Sequence, residues 1–119
     1  MMNKRNIGDH FEQIGCDYLI KKGYEIISRN YRYHRHGEID IIAKTGNCIV
    51  FVEVKARKNT TYGTPAEAVT LKKRDKIRMT ALGFLSMNKM QAGEIRFDVL
   101  EIYYDYTGIK SIHLIENAF

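Results

Sequence analysis

Two carboxylates and a lysine have a spacing that would place them on one face of a β-hairpin. If Gly46 and Asn47 form a two-residue turn, the two strands pair so that Asp40 lies directly opposite Glu53. Lys55 shares the face of Glu53, because side chains alternate along a strand. The sequence therefore predicts two opposed carboxylates with an amine beside them.

Opposed carboxylates point to a divalent cation. Like charges directly across a ladder destabilise a sheet, and a cation removes that penalty while using both carboxylates as oxygen ligands. Mg²⁺ is the natural candidate, with Mn²⁺ as an alternative, because it keeps several waters and accepts phosphate oxygens. Lys55 would orient or deprotonate an attacking water and hold the phosphate. Such a set suffices for metal-assisted phosphodiester hydrolysis.

A purely structural interpretation of the same hairpin stays open. In this register Glu38 lies opposite Lys55, where the two form an ordinary cross-strand ion pair, and Glu53 faces solvent. The other face carries the apolar residues expected in the core, which are Ile39, Ile41, Val52 and Val54. The opposed acids and the basic segment that follows them favour the catalytic interpretation.

A third acid is expected from the first helix. Glu12 precedes Gly15, Cys16 and Leu19 by three, four and seven positions, which are the spacings of one helix face. The small residues Gly15 and Cys16 would let this helix approach the sheet closely and bring the Glu12 carboxylate towards the metal. The alternative is a solvent-exposed helix glutamate.

The elements that must position these residues follow the order α-β-β-β-α-β-β. Helical periodicity with capping residues predicts the helices, and apolar runs between turn residues predict the strands. The predicted helices are Gly8–Lys22, which Gly23 stops, and a long helix from Thr64-Pro65 to Met87; the predicted strands are Tyr24–Tyr33, Glu38–Lys44, Cys48–Arg57, Arg96–Tyr104 and Lys110–Ile115. We expect one α/β domain over residues 1–119, with a mixed sheet flanked by helices.

The distribution of charge predicts a surface that binds a polyanion. The net charge is +5 and the pI about 9.2. Residues 55–78 carry a net charge of +6, whereas residues 94–119 carry −3. Basic side chains bind phosphates, and interleaved aromatic rings stack on bases. The candidate nucleic-acid contacts are Arg32, Arg35, Arg57, Lys72, Lys73 and Lys76.

Composition excludes several other classes of protein. The hydrophobic share of 45% and charged share of 28% are those of a globular protein, not of a disordered or fibrous chain. The longest apolar run, Cys48–Val52, is far shorter than the roughly 20 residues of a membrane span. Residues 1–12 carry no signal-peptide core, so we expect a cytoplasmic protein without membrane contact.

Cys16 and Cys48 lack metal spacing and are expected as reduced thiols in or near the core. His34 and His36 lack further zinc ligands.

Two sequence blocks at a specific separation, GEID at 37–40 and FVEVK at 51–55, carry a family resemblance. Further matches are Gly8-Asp9 with Glu12, Gly23-Tyr24, Asn30-Tyr31-Arg32, Ala56-Arg57, Tyr62-Gly63, Lys73, Arg96-Phe97-Asp98-Val99 and Asn117-Ala118-Phe119. Over nearly its whole length the chain resembles the YraN-like UPF0102 family of small bacterial proteins. That family is similar to the PD-(D/E)xK, or restriction-endonuclease-like, nuclease fold group. Gly15 departs from the family, which more often has alanine there.

The resemblance implies roles for four residues. Asp40 and Glu53 would be metal ligands, Lys55 the catalytic lysine, and Glu12 the acid contributed by the first helix. The fold group includes archaeal Holliday-junction resolvases, which implies branched DNA as a substrate. The products would carry 5′-phosphate and 3′-hydroxyl ends.

Three functional hypotheses follow. The primary one is a Mg²⁺-dependent DNA endonuclease acting on branched or repair and recombination intermediates. The second is a nucleic-acid-binding module that keeps the fold but turns nothing over. The third is a partner-dependent subunit, active only in a larger repair or uptake assembly. A homodimer is also expected by analogy with the fold group, since a two-fold symmetric enzyme would cut both strands of a junction.

Overall fold

The computed structural model describes residues 4–58, 69–90 and 93–119. The elements are α1 (Lys4–Lys21), β1 (Glu25–Arg32), β2 (Glu38–Thr45), β3 (Cys48–Arg57), α2 (Leu71–Met87), β4 (Glu94–Asp105) and β5 (Gly108–Ile115). This order and the five-stranded mixed sheet confirm the predicted α/β architecture, which is consistent with the restriction-endonuclease-like core. Neither helix in the described part of the chain is long and apolar enough to cross a membrane.

The sheet has the spatial order β1-β2-β3-β4-β5, which is also the order along the chain. Three of its ladders are antiparallel, and the β3/β4 ladder is parallel. Parallel neighbours need a long crossover, and α2 lies within the one that joins β3 to β4. The first six residues of β3 are all buried, as expected for a central strand covered on both faces.

The β2–β3 hairpin has the predicted register. Its five paired positions run from Thr45↔Cys48 to Ile41↔Val52, and Gly46 adopts the left-handed φ of +56° in the turn. The ladder ends at Ile41↔Val52, one position before Asp40. The strands therefore separate just where the predicted carboxylates begin.

The two faces of the sheet are covered by different helices. On one face, Cys16 and Leu19 of α1 pack with Val50 and Val52 of β3. On the other face, the apolar side chains of α2 pack with Ile49 and Phe51, together with Val99 of β4; they are Ile77, Ala81 and Phe84. Alternation along β3 thus divides the core into two layers. Both cysteines are buried free thiols, as predicted.

One part of the predicted core pattern is wrong. Ile41, Val52 and Val54 lie on the α1 face as expected, but Ile39 packs in the α2 layer. The alternation along β2 breaks at Asp40, the residue at which β2 has stopped pairing with β3. Freed from that ladder, the start of β2 can rotate its side chains independently of β3.

The close approach of α1 to the sheet depends on Gly15. A Cβ atom on Gly15 would lie 2.8 Å from Leu100 Cδ2 and 3.2 Å from Ile41 Cδ1, both closer than ordinary contact. The sequence prediction that small residues bring α1 near the sheet is therefore confirmed. The helix ends at Lys21, and Gly23 follows with a φ of +92°, in a conformation that favours glycine.

The second helix begins later than predicted. Thr70 is its N-cap, with extended backbone angles and a side-chain oxygen that accepts a hydrogen bond from Lys73 N at 3.2 Å. A continuous helix from Thr64 to Met87 is therefore wrong, because capping places the first helical residue at Leu71. The predicted start at Thr64-Pro65 itself lies outside the described residues.

A buried carboxylate attaches the end of the chain to β4. Asp98 is fully buried and accepts hydrogen bonds from Arg96 Nε and from Asn117 N, each at 3.0 Å. Arg96 Nη2 also donates to Tyr24 Oη at 2.7 Å, which ties this group to the start of β1. The Phe119 ring packs against Phe97, and both rings lie against the core cluster on the α2 face of the sheet.

We expect Gly15→Val to lower the free energy of unfolding by about 1–3 kcal/mol more than Gly8→Val does. Both substitutions change helix propensity equally, but only the first forces atoms into the packed contact with Leu100. A Cβ at Gly8 would meet nothing within 4 Å. Urea unfolding of the two variants measures the difference, and equal losses would contradict close packing at Gly15.

Candidate active site

The site begins where β2 and β3 separate. Beyond the Ile41↔Val52 pair, the amide of Val54 has no partner on β2 through the ladder. Asp40 Oδ2 accepts its hydrogen bond instead, at 2.9 Å. A side-chain carboxylate therefore replaces a main-chain carbonyl, which satisfies the partly buried amide and fixes the Asp40 side chain between the two strands.

Three carboxylates meet at this position. Ligand oxygens of Glu12, Glu38 and Asp40 all lie within 4.8 Å of one another. Glu12 reaches the group from α1, and the other two come from β2, two residues apart. The position of Glu12 agrees with the expectation that α1 would bring its carboxylate towards the hairpin.

The burial of Glu12 indicates what this group can bind. Its side chain is only 7% exposed, and Oε1 is buried with no hydrogen-bond partner in the described part of the chain. An unsatisfied buried acceptor costs about 1–3 kcal/mol or more when charged. A hard divalent cation takes carboxylate oxygens as ligands, so this donor set fits Mg²⁺ or Mn²⁺.

The pKa shifts of Asp40 and Glu12 agree with that fit. Burial, and after it the Glu53 charge, raise the pKa of Asp40 to about 7, against the lowering effect of the hydrogen bond from Val54 N. Burial likewise raises the pKa of Glu12, against the lowering effect of the Arg29 charge. Both shifts arise mainly because the carboxylates are removed from water, and perturbed carboxyl pKa values of this kind are common at functional sites.

Glu53 occupies a different arrangement. It is 5% exposed, and its Oε1 lies 2.5 Å from Lys73 Nζ and 3.7 Å from Lys55 Nζ. Burial lowers the pKa of Lys55, and the nearby Lys73 charge lowers it further. The pKa of Lys73 is raised, because its hydrogen bond with Glu53 and the charge of that residue outweigh the effect of burial.

The structure thus divides the predicted ligand pair. Asp40 lies with Glu12 and Glu38, whereas Glu53 is ion-paired with the two lysines. The assignment of Glu53 as a metal ligand stays a prediction. His34 and His36 belong to no group of metal ligands within the described ranges.

Glu38 is the member of the group that the sequence interpretation did not assign. The ion pair with Lys55 that the purely structural interpretation left open is not formed, because β2 and β3 have separated and Glu38 Oε2 instead accepts from Arg32 Nε of β1 at 3.0 Å. The sequence feature that could have identified Glu38 is its spacing of two residues from Asp40, because residues two apart lie on the same side of a regular strand.

Two clefts open on either side of the separated strands. The larger, of about 820 Å³, lies towards α1, and we call it the α1 cleft; its described lining is Gly8, Asp9, Phe11, Glu12, Asn30, Arg32, Glu38, Asp40, Val54 and Ala56. The smaller, of about 270 Å³, is the α2 cleft, lined by Glu38, Asp40, Glu53, Lys73, Lys76 and Ile77. Both clefts include Glu38 and Asp40, so they meet at the carboxylates.

The predicted nucleic-acid contacts fall into two groups. Three of them border the clefts, namely Arg32 in the α1 cleft and Lys73 and Lys76 in the α2 cleft. The other three are not among the described cleft residues. Arg35 is exposed in the turn between β1 and β2, Lys72 is exposed on α2, and Arg57 is half-buried at the end of β3. Their role in binding stays a prediction.

Comparison with known proteins gives consistent family matches. The family model described as "Uncharacterised protein family UPF0102" matches residues 11–102. A UPF0102 protein of Caldicellulosiruptor saccharolyticus is 44% identical over 99% of this chain and 100% of its own length. The protein of the same name from Acetivibrio thermocellus is 44% identical over 98% of this chain and 93% of its own length. The one from Rhodococcus opacus is 41% identical over the full length of both chains. These matches confirm the resemblance found from the motifs.

We expect Asp40→Asn to stabilise the metal-free protein increasingly as the pH rises from about 4 to about 7. Below that range Asp40 is protonated in both the folded and the unfolded state. Within it the folded state retains a proton that the unfolded state has released, so the wild-type protein loses stability as the pH rises. The amide never ionises. Since one pKa unit corresponds to about 1.4 kcal/mol, the gain at about pH 8 should exceed the gain at about pH 5 by about 2–3 kcal/mol.

Urea unfolding in EDTA at about pH 5 and about pH 8 tests this expectation. Asp17→Asn is the matched control, because Asp17 is exposed on α1. If the free energy of unfolding changed with pH in the same way for both variants, Asp40 would not carry a buried negative charge.

We expect Glu12→Gln to weaken Mn²⁺ binding by at least about tenfold, since even loss of a residue that only supports a metal ligand costs 10–100-fold. The amide removes the charge of the buried Oε1 while keeping its size. Isothermal titration calorimetry of the metal alone measures the change, with Glu25→Gln at the exposed start of β1 as control. Equal affinities for the two variants would exclude Glu12 as a ligand.

Proposed function

The chain belongs to the UPF0102 family, and we propose that it is a Mg²⁺-dependent endonuclease that hydrolyses phosphodiester bonds in DNA. The observation that carries the proposal is the buried, unpartnered carboxylate oxygen of Glu12 within the group formed with Glu38 and Asp40. A group of close carboxylates near a half-buried lysine is suited to a metal ion and a phosphate, and poorly suited to simple structural support.

Glu12, Glu38 and Asp40 are the residues that would hold the ion. Their oxygens are close enough to act together, and they come from two different elements. When bound, Mg²⁺ would stabilise the negative charge that develops on the phosphate and make a bound water more acidic. Raised pKa values of Asp40 and Glu12 mean that ion binding and release of their protons are linked, so binding strengthens as the pH rises.

Lys55 is the proposed proton acceptor. Its lowered pKa makes the neutral amine more accessible near physiological pH than that of a surface lysine. Lys55 Nζ takes a proton from the water whose oxygen forms the new bond to phosphorus. The bond from phosphorus to the 3′ oxygen breaks, and that oxygen takes a proton from solvent. The resulting 5′-phosphate and 3′-hydroxyl ends are those expected for the nuclease fold group.

Lys73 has a complementary role. Its raised pKa keeps the ammonium charged, and its contact with Glu53 holds that charge at the α2 cleft. Lys76 lines the same cleft and is exposed. Two cations on this side of the carboxylates would bind the phosphates of the DNA strand, with branched or repair intermediates as the substrate class to examine first.

One observation favours a partner-dependent form of the same activity. Lys73 is ion-paired with Glu53 Oε1 at 2.5 Å, so this oxygen is engaged by a lysine and not by a metal ion in this arrangement. A partner protein or the DNA phosphate itself would draw Lys73 away and release Glu53. A binding module without turnover is the remaining hypothesis, and the cleavage assay separates the three.

We expect Lys55→Ala to reduce Mg²⁺-dependent cleavage by at least about 100-fold, the lower end of what a positioned general acid or base contributes. Purified protein is incubated with single-stranded, duplex, flapped and four-way-junction DNA in Mg²⁺, Mn²⁺ or EDTA. Lys44→Ala is the matched control, because it removes one positive charge from an exposed position on β2.

Equal cleavage by Lys55→Ala and the control would sink the proposal, since the activity would then come from a contaminant. Salt-sensitive DNA binding without cleavage on any substrate would support the binding module. Activity that arises only when cell extract is added, and that still requires Lys55, would identify the partner-dependent form.

A further inference from the structure

We infer that the α1 cleft receives an unpaired base of the DNA strand, so that the substrate class is a single-stranded segment rather than intact duplex. The inference rests on the proposed nuclease function, because the cleft adjoins the carboxylates that would hold the metal. It concerns what lies beside the scissile phosphate, which the catalytic residues do not specify.

The size and lining of the α1 cleft suit a nucleobase. Its volume of about 820 Å³ lies in the range of about 300–1,000 Å³ typical of pockets that bind small molecules. Phe11, Val54 and Ala56 contribute apolar atoms to its lining, with the Phe11 ring largely buried against Tyr104, and Asn30 adds an amide that can both donate and accept. These residues lie beside the carboxylates of the same cleft, and a flat, uncharged base can contact apolar atoms while it hydrogen-bonds to an amide.

The charges of the two clefts assign the phosphate and the base to opposite sides. The described lining of the α1 cleft has four carboxylates, from Asp9, Glu12, Glu38 and Asp40, against the single guanidinium of Arg32. With one divalent ion on these carboxylates, the described lining still has a net charge of −1, so away from the ion the cleft disfavours a phosphate but admits an uncharged ring. The α2 cleft instead offers Lys73 and Lys76 beside the shared carboxylates. A strand that crosses the site would therefore direct its phosphates towards α2 and a base towards α1.

Base pairing sets the substrate class. A base inside a double helix is stacked and paired, and it reaches an enzyme pocket only after unstacking, which costs a few kcal/mol. An unpaired base in a single strand or at a branch avoids most of that cost. The α1 cleft therefore favours DNA in which the nucleotide beside the scissile bond is already unpaired.

Gly8 keeps the α1 cleft open and provides a way to close it. It lies on α1 in the cleft lining, and a Cβ at this position would meet nothing within 4 Å. A leucine at this position would extend from an unobstructed Cβ and narrow the cleft, and it offers no ring on which a base could stack. Alanine at the same position adds helix propensity but little volume, so it is the matched control.

The test compares binding of one oligonucleotide, single-stranded or annealed to its complement, by fluorescence anisotropy with Ca²⁺ replacing Mg²⁺. A gel confirms that the strand stays intact. The proteins are wild type, Gly8→Leu, Gly8→Ala and Ala56→Leu, which narrows the cleft from β3 instead of α1. Thermal unfolding confirms that each variant is folded.

We expect the wild-type protein and Gly8→Ala to bind the single strand at least about fivefold more tightly than the duplex, the lower end of what one base–aromatic stack contributes. Gly8→Leu and Ala56→Leu should lose that preference while binding duplex within about twofold of wild type. Equal affinity for both DNAs in the wild type would overturn the inference. The inference would also be overturned if both leucine variants kept the preference for single-stranded DNA, or if they lost affinity for both DNAs equally.

The outcome is separable from that of the nuclease proposal. A single-strand preference that Gly8→Leu abolishes, with no cleavage in Mg²⁺ on any substrate, would leave the cleft standing and remove the catalytic proposal. Lys55-dependent cleavage without any preference for single-stranded DNA would support the catalytic proposal and overturn the inference about the cleft.

Discussion

The site depends on one hydrogen bond, from Val54 N to Asp40 Oδ2, at the point where β2 leaves β3. A central strand that loses its neighbour must find another acceptor for its buried amide. Asp40 supplies that acceptor from its side chain, and the strands can then separate without an unsatisfied group. The gap between them lets two clefts meet at Asp40, with one helix on each side. A hairpin paired to its end would have closed this gap.

Burial makes the charges in that gap unfavourable. Ion pairs between the acids and the lysines offset part of this cost. Glu53 is neutralised by Lys73 and Lys55, so the α2 side is balanced within the chain. On the α1 side Glu12 is left with a buried oxygen that no described residue satisfies. The imbalance is concentrated on the carboxylates themselves, where a cation would relieve it. Stability is commonly sacrificed in this way where a protein binds or reacts.

The scaffold around the site holds its side chains by close packing. Gly15 lets α1 lie directly on the sheet, which is what brings Glu12 within reach of β2. The cap at Thr70 sets the first turn of α2 and with it the position of Lys73. Asp98 and its partners attach the chain terminus to β4. The carboxylate group and the lysines are thus positioned by different elements, and each element is fixed by its own local interaction.

The order of elements and the register of the central hairpin were determined by the sequence alone, because both rest on local signals. Gly46 at the turn and the unbroken apolar run of β3 are visible without any tertiary contact. The same local reasoning identified Asp40, Glu53, Lys55, Glu12 and Lys73 as residues to examine. It could not foresee that the ladder ends before Asp40, since strand separation depends on packing against both helices. That separation turned Ile39 to the α2 face, paired Glu38 with Arg32, and drew Glu38 into the carboxylate group. Partner choice among charged side chains is decided by distances between elements, and only the tertiary structure sets those distances.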